Sequence, residues 1–151
     1  MDRFKLEIKS NADLSALEMI KIMQERVAVF VVEQDCPYQE IDDKDEDAWH
    51  VILKDQKNDQ VAAYARVVRH DDGKSISFGR VLVVKSYRQQ QLGRAIVTAA
   101  IDHIHKQFPK RTVKIAAQNY LRNFYASFGF KTQSDVYLED GIPHIDMTLV
   151  E

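Results

Sequence analysis

Residues 76–94 read Ile-Ser-Phe-Gly-Arg-Val-Leu-Val-Val-Lys-Ser-Tyr-Arg-Gln-Gln-Gln-Leu-Gly-Arg. The first part, 76–84, is short, apolar and rich in valine, which predicts a buried strand. Beyond it Leu92, Ile96, Ala99, Ala100, His103, Ile104 and Phe108 recur at helical spacing, and Pro109 stops the pattern. Val113–Ala117 is again a short apolar run. Strand, helix and strand in that order form a right-handed crossover, so this stretch commits the chain to a sheet with a parallel pair.

Working outward, Phe4, Leu6 and Ile8 alternate with Lys5, Glu7 and Lys9, the pattern of a half-buried strand. Asn11 or Asp13 can cap a following helix with the apolar face Leu17, Ile20, Met23, Val27 and Phe30. The β-branched run Val27–Val32 competes as a strand at its end. A polar connection, 33–47, leads to strands at Trp49–Leu53 and Val61–Val68, joined across 55–60, and Asp71-Asp72-Gly73 turns into strand 76–84. Downstream, Leu121, Phe124, Tyr125 and Phe128 share a helical face that Gly129 ends as a C-cap. Strand 130–138, the turn Glu139-Asp140-Gly141 and strand 142–150 close the chain as a hairpin. The expected order is β-α-βββ-α-β-α-ββ. The fold class is α+β, an α/β mixed sheet, with 1–151 forming a single domain.

At 151 residues and 45% hydrophobic content the chain can bury a sizeable core. The one cysteine, Cys36, excludes an internal disulfide and a multi-thiolate metal site. No secretory segment is read at the start, and the longest apolar run, Val27–Val32, is far too short for a membrane span. We therefore expect a cytoplasmic protein with no membrane association. The formal charge of −2 argues against a nucleic-acid binder. The charge is unevenly distributed, however. Residues 1–75 carry 11 basic and 17 acidic side chains, residues 76–151 carry 10 and 6, and no acid lies between Asp72 and Asp102. A basic stretch in an acidic chain favours a small anionic ligand over a long polyanion.

Three patterns fail. Gly73-Lys74-Ser75 lacks the first glycine of a phosphate loop, because Val68 stands there. Asp43, Asp45 and Asp47 begin like a calcium loop, but Ala48 and Lys54 occupy the obligatory glycine and glutamate positions. His103 and His105, two apart on a helix, point to different faces, so no metal is expected. The segment 85–94 remains. A helix begins inside it, offering free N–H groups to a phosphate; Gly93 allows close approach, and Arg88 and Arg94 add charge.

Arg88-x-x-Gln91-x-Gly93 after a strand resembles the acyl-CoA pyrophosphate motif of the GNAT acetyltransferase superfamily, Gln/Arg-x-x-Gly-x-Gly/Ala. Asn123-Phe124-Tyr125-Ala126-Ser127-Phe128-Gly129-Phe130 resembles that family's second motif. Glu33-Gln34-x-Cys36-Pro37-Tyr38 and Asp140-Gly141-Ile142-Pro143-His144 are similar to its ElaA-like subgroup. The resemblance implies that strands 76–84 and 113–117 splay apart around the pantetheine arm of acetyl-CoA. Leu82 and Val83 would bond that arm and present an N–H to the thioester oxygen, and Arg88, Gln89, Gln90, Gln91, Leu92 and Gly93 would hold the pyrophosphate. Two residues depart from the family pattern. Gln91 replaces the first glycine, and with a negative φ its N–H still reaches a phosphate. Gln118 replaces an asparagine that reaches the pantetheine.

Tyr125 matches the family tyrosine that protonates the leaving thiolate. The amine must lose a proton, and the candidates for the base are Glu33, His144 and His50, with Asp146 on the same strand face as His144. Cys36 reads as a small buried thiol rather than an acyl carrier. The loop 40–47, with Glu40, Asp42, Asp43, Asp45, Glu46 and Asp47, suits a cationic acceptor or is a solvated surface. The implied function is an N-acetyltransferase that moves acetyl from acetyl-CoA directly to a small-molecule or peptide amine, as a monomer or homodimer. The alternative is a non-catalytic acyl-CoA-binding or sensing module.

Overall fold

The computed structural model describes residues 3–149, so the predicted strand end at Val150 lies outside the described residues. Strand β1 (Phe4–Ser10) leads to helix α1 (Ala16–Val27), and β2 (Trp49–Asp55), β3 (Gln60–Arg69) and β4 (Ile76–Val83) follow as an antiparallel meander. Helix α2 (Leu92–Gln107), β5 (Val113–Gln118), α3 (Arg122–Ala126), β6 (Lys131–Thr132), β7 (Tyr137–Glu139) and β8 (Ile142–Leu149) complete the chain. The sheet order is β1-β2-β3-β4-β5-β8-β6, with β7 also on β8. No helix among the described residues is long and apolar enough to cross a membrane.

The mixed α+β sheet matches the sequence reading. Its parallel pair, β4 with β5, is in register only at Ile76 and Val113. From that point the two strands diverge, leaving the expected splay. Alternation along β2 and β3 sorts side chains between two cores. Val51, Ala63, Ala65 and Val67 pack with Ile96, Val97, Ala100 and Ile104 of α2, whereas Ile52, Tyr64 and Leu82 pack with Ile22 and Phe30 on the α1 side. Each fully buried large apolar side chain contributes about 1.5–3 kcal/mol.

Three expectations are corrected, and the open alternative at Val27–Val32 is decided in favour of the helix. The α1 cap is Ser15, not Asn11 or Asp13: Ser15 accepts from Glu18 N–H and Glu18 accepts from Ser15 N–H. Asn11 instead donates to the carbonyls of Asp45 and Glu46. The inward face of α1 is Ile22, Arg26 and then Phe30, while Leu17 and Ile20 are exposed. A buried arginine took the place where an apolar residue was sought. The run Val27–Val32 is helical, winding as a π-turn over Ala28–Glu33. Finally, predicted strand 130–138 is the two short strands β6 and β7. Between them Ser134 Oγ accepts the Asp146 N–H, and a side chain thereby takes a bond the ladder would otherwise make. The turn into β8 is as expected. Asp140 (φ 51°) and Gly141 (φ 77°) are both left-handed, the requirement of a two-residue hairpin turn.

Candidate active site

The donor side begins with an irregularity in β4. Tyr64 pairs with Leu82 but Arg66 pairs with Gly79, so Arg80 and Val81 together face Ala65 in a bulge, with Arg80 at φ 50°. Beyond the bulge, Val84 N–H donates to Ala62 O on β3. Strand alternation therefore turns Leu82's backbone to β3 and Val83's to the splay. The predicted pair separates accordingly: Val83 faces the gap, while Leu82 is bonded to β3 and buried in the α1-side core.

Residues 85–87 make one tight turn held to β2 by Tyr87, whose hydroxyl donates to the buried carboxylate of Asp55 (2.7 Å). Gln89 (φ 67°) and Gln91 (φ 63°) are then both left-handed. The condition of a negative φ at Gln91 is therefore not met. Because α2 must start in the backbone geometry a glycine would supply, a side-chain-bearing residue adopts it at a cost of about 1–2 kcal/mol. Gln91 is the N-cap of α2, no side chain caps the helix, and its first turn contains no acid. Leu92 is buried in the core with Ile96 and Val97, so its side chain faces away from any ligand at the helix start. A Cβ placed on Gly93 would meet only Val83 Cγ2, at 3.9 Å. Glycine here costs about 1 kcal/mol relative to alanine and no packing requires it, so the open space suits close approach of an anion.

Arg88 joins the two sides of the site. Its Nε donates to Val83 O (3.0 Å), and its two terminal nitrogens grip the Glu33 carboxylate at 2.7 and 2.8 Å. That pairing lowers the Glu33 pKa, leaving a weak base beside the donor loop. Gln118, at the end of β5, directs its amide toward Gln34 (3.4 Å).

Between the splayed strands, on the α1 face, lies a cleft of about 420 Å³. Its floor includes Ser77, Gly79 and Ala116, and nothing stands within 4 Å of where a Gly79 Cβ would be. Gln118, Tyr125, His144 and Asp146 line it, whereas Glu33 and residues 88–93 do not. The Tyr125 ring packs on Phe78, Phe124 and Phe130. Burial pushes its phenol pKa up, so the hydroxyl stays protonated, and it has no hydrogen-bond partner among the described residues. His144 Nδ1 lies 2.7 Å from Ile142 O. A carbonyl only accepts, so Nδ1 carries the proton and the lone pair of the neutral ring is on Nε2, 3.6 Å from a Glu139 oxygen.

His50 is far from this chemistry. It is fully buried between Tyr64 Oη and Asn11 Oδ1, both at 2.6 Å, and burial lowers its pKa to about 4. The acidic loop is also corrected in part. Glu40 and Asp45 grip the buried Arg26, Asp42 pairs with Arg66, and Arg80 reaches Glu40 and Asp42. Of that loop's acids, Asp43, Glu46 and Asp47 remain exposed. Cys36 is buried as expected, with Sγ donating to Asp140 O at 3.5 Å.

The GNAT acetyltransferase domain family matches residues 18–151. The chain is 40% identical to ElaA of Escherichia coli over 138 residues, covering 91% of this chain and 90% of that one. This protein is a member of the GNAT acetyltransferase family. The crystal structure of E. coli ElaA superposes with a TM-score of 0.88 at 38% identity, and an acyl-CoA N-acyltransferase of Pseudomonas aeruginosa with 0.88 at 35%; each comparison covers 96% of this chain and 98% of the other. A GNAT acetyltransferase of Elizabethkingia anophelis with acetyl-CoA bound shares the fold at a TM-score of 0.66 and 12% identity over the full length of both. The strand bulge in this GNAT chain escaped the sequence reading, although Gly79 inside a strand pattern was its available signal. The arginine–carboxylate network had no local signal, because its partners lie 14 to 40 residues apart.

Proposed function

We propose that the protein is a cytoplasmic N-acetyltransferase that passes acetyl from acetyl-CoA to a primary amine by direct attack in a ternary complex. The observation that carries this reading is the uncapped start of α2, with its unfilled space at Gly93, beside a splay that ends at the free Tyr125 hydroxyl. The amides of Gln89–Gly93 and the Arg88 guanidinium would hold the pyrophosphate, and Val83 and Gln118 the pantetheine arm. When bound, acetyl-CoA supplies an activated acyl carbon. His144 Nε2 takes the proton of the attacking amine, and the Val83 amide hydrogen bonds the oxygen on which charge develops. Tyr125 returns a proton to the departing sulfur as the C–N bond replaces C–S. Glu139, Asp140 and Asp146 in the cleft wall have no lysine or arginine partner among the described residues, so this wall, rather than loop 40–47, attracts a cationic acceptor.

A non-catalytic acyl-CoA-binding module is the second reading. It is favoured by the engagement of Glu33 with Arg88, which leaves His144 as the one base candidate in the cleft. Thiol release from acetyl-CoA against spermidine, lysine, an aminoglycoside and a peptide N-terminus separates the two. Enzyme-dependent release with any of these amines supports catalysis, and cofactor binding without release supports the module. Tyr125→Phe should bind acetyl-CoA as wild type does and turn over about 100-fold more slowly. An unchanged rate would make Tyr125 a core aromatic only.

A further inference from the structure

The Asp140-Gly141 turn fixes the register of the closing hairpin: Glu139 faces Ile142, Leu138 faces Pro143 and Tyr137 faces His144. A two-residue turn leaves the ladder no freedom to slip, since a one-residue shift would flip every side chain to the other face. The pair Tyr137–His144 is therefore built into the fold by two turn residues. Their rings stack with centroids 6.3 Å apart and planes 27° from parallel. The Tyr137 hydroxyl donates to Asp146 Oδ1 at 2.5 Å, which anchors the phenol to β8 two residues beyond the histidine. Burial and this bond push the Tyr137 phenol pKa up and keep it a donor. His144, Asp146, Glu139 and Asp140 line the cleft, and Tyr137 does not. Tyr137 thus touches the imidazole face without lining the cleft itself.

We propose that Tyr137 is a positioning residue for His144. Its ring, anchored by Asp146, holds the imidazole so that Nδ1–H stays on the Ile142 carbonyl and the Nε2 lone pair faces the cleft. The inference rests on His144 being the base, and it adds how that base is held. Without the stacked ring, the β7 group left facing the imidazole is the Glu139 carboxylate, 3.6 Å from Nε2 on a side chain that is half exposed. It does not pack on the ring face to oppose rotation away from the Ile142 carbonyl. The ring would then sample the other tautomer and other orientations, and proton transfer from the amine would lose its geometry.

The test uses the full-length protein, 15N-labelled, with imidazole resonances assigned by loss of signal in His144→Gln. Long-range 15N–1H correlation at a pH where the ring is neutral should show the Nδ1–H tautomer alone in the wild type. Tyr137→Leu should mix the two tautomers, and Tyr137→Phe, which keeps the ring but loses the anchor, should fall between. With whichever panel amine is turned over, Tyr137→Leu should lower kcat about tenfold while KM for acetyl-CoA stays within about twofold, and Phe should restore most of kcat. Thermal melts confirm that each variant is folded. A Tyr137→Leu variant with the wild-type tautomer and wild-type kcat would overturn the proposal. Wild-type kcat in His144→Gln would overturn the base reading alone, and the imidazole signature would then decide the positioning by itself.

Discussion

The two long helices begin in opposite ways. At α1, Ser15 accepts from Glu18 N–H at 3.0 Å and Glu18 accepts from Ser15 N–H at 2.9 Å, so the helix supplies its own acceptors and its own negative charge. At α2 the N-cap is a left-handed glutamine with no side-chain bond, and Gly93 leaves space in a first turn without acid. One chain closes one helix start and leaves the other open. The closed start contributes stability. The open start forgoes that contribution, and its unpaired amides are available to an external anion.

Placing a carboxylate at the open start should have the largest effect. Gly93→Asp fills the space and puts negative charge where the pyrophosphate would lie. The dissociation constant for acetyl-CoA, read by calorimetry, should rise about 100-fold or more while the melting temperature holds or increases. Unchanged binding would mean that the open start is not where the anion goes. The converse change at the closed start is smaller: Ser15→Ala should cost about 1 kcal/mol in denaturant unfolding and leave acetyl-CoA affinity unchanged. The smallest effect concerns pH. The Ser15 amide, with Lys54 and Lys9, holds the Glu18 pKa down at about 2. Glu18 therefore contributes stability above its unfolded pKa, and the contribution is lost as pH falls toward 2. The stability gap between wild type and Glu18→Gln should be constant near neutrality and shrink between about pH 4.5 and pH 2. A gap that widens on acidification would contradict this assignment.

The same contrast marks what could be read in the sequence. The crossover at 76–117 and the Asp140-Gly141 turn were legible because apolar period and turn chemistry are local. Arg88, Gly93 and Tyr125 could be proposed from the chain because the motifs that carry them are contiguous. The inward face of α1 was not, because Arg26 is buried only by virtue of Glu40 and Asp45, remote carboxylates that neutralise it. The backbone of Gln91 could not be read locally either, because glutamine has no preference for the left-handed region it occupies at φ 63°. The pairing of Glu33 with Arg88 spans 55 positions, and no spacing rule in the chain announces it.

The most direct measurement is a calorimetric titration of acetyl-CoA into the wild-type protein. Saturable binding to one site per chain is expected, weakened by added inorganic pyrophosphate, which would compete for the start of α2. No heat at near-millimolar acetyl-CoA, or binding indifferent to saturating pyrophosphate, would contradict it.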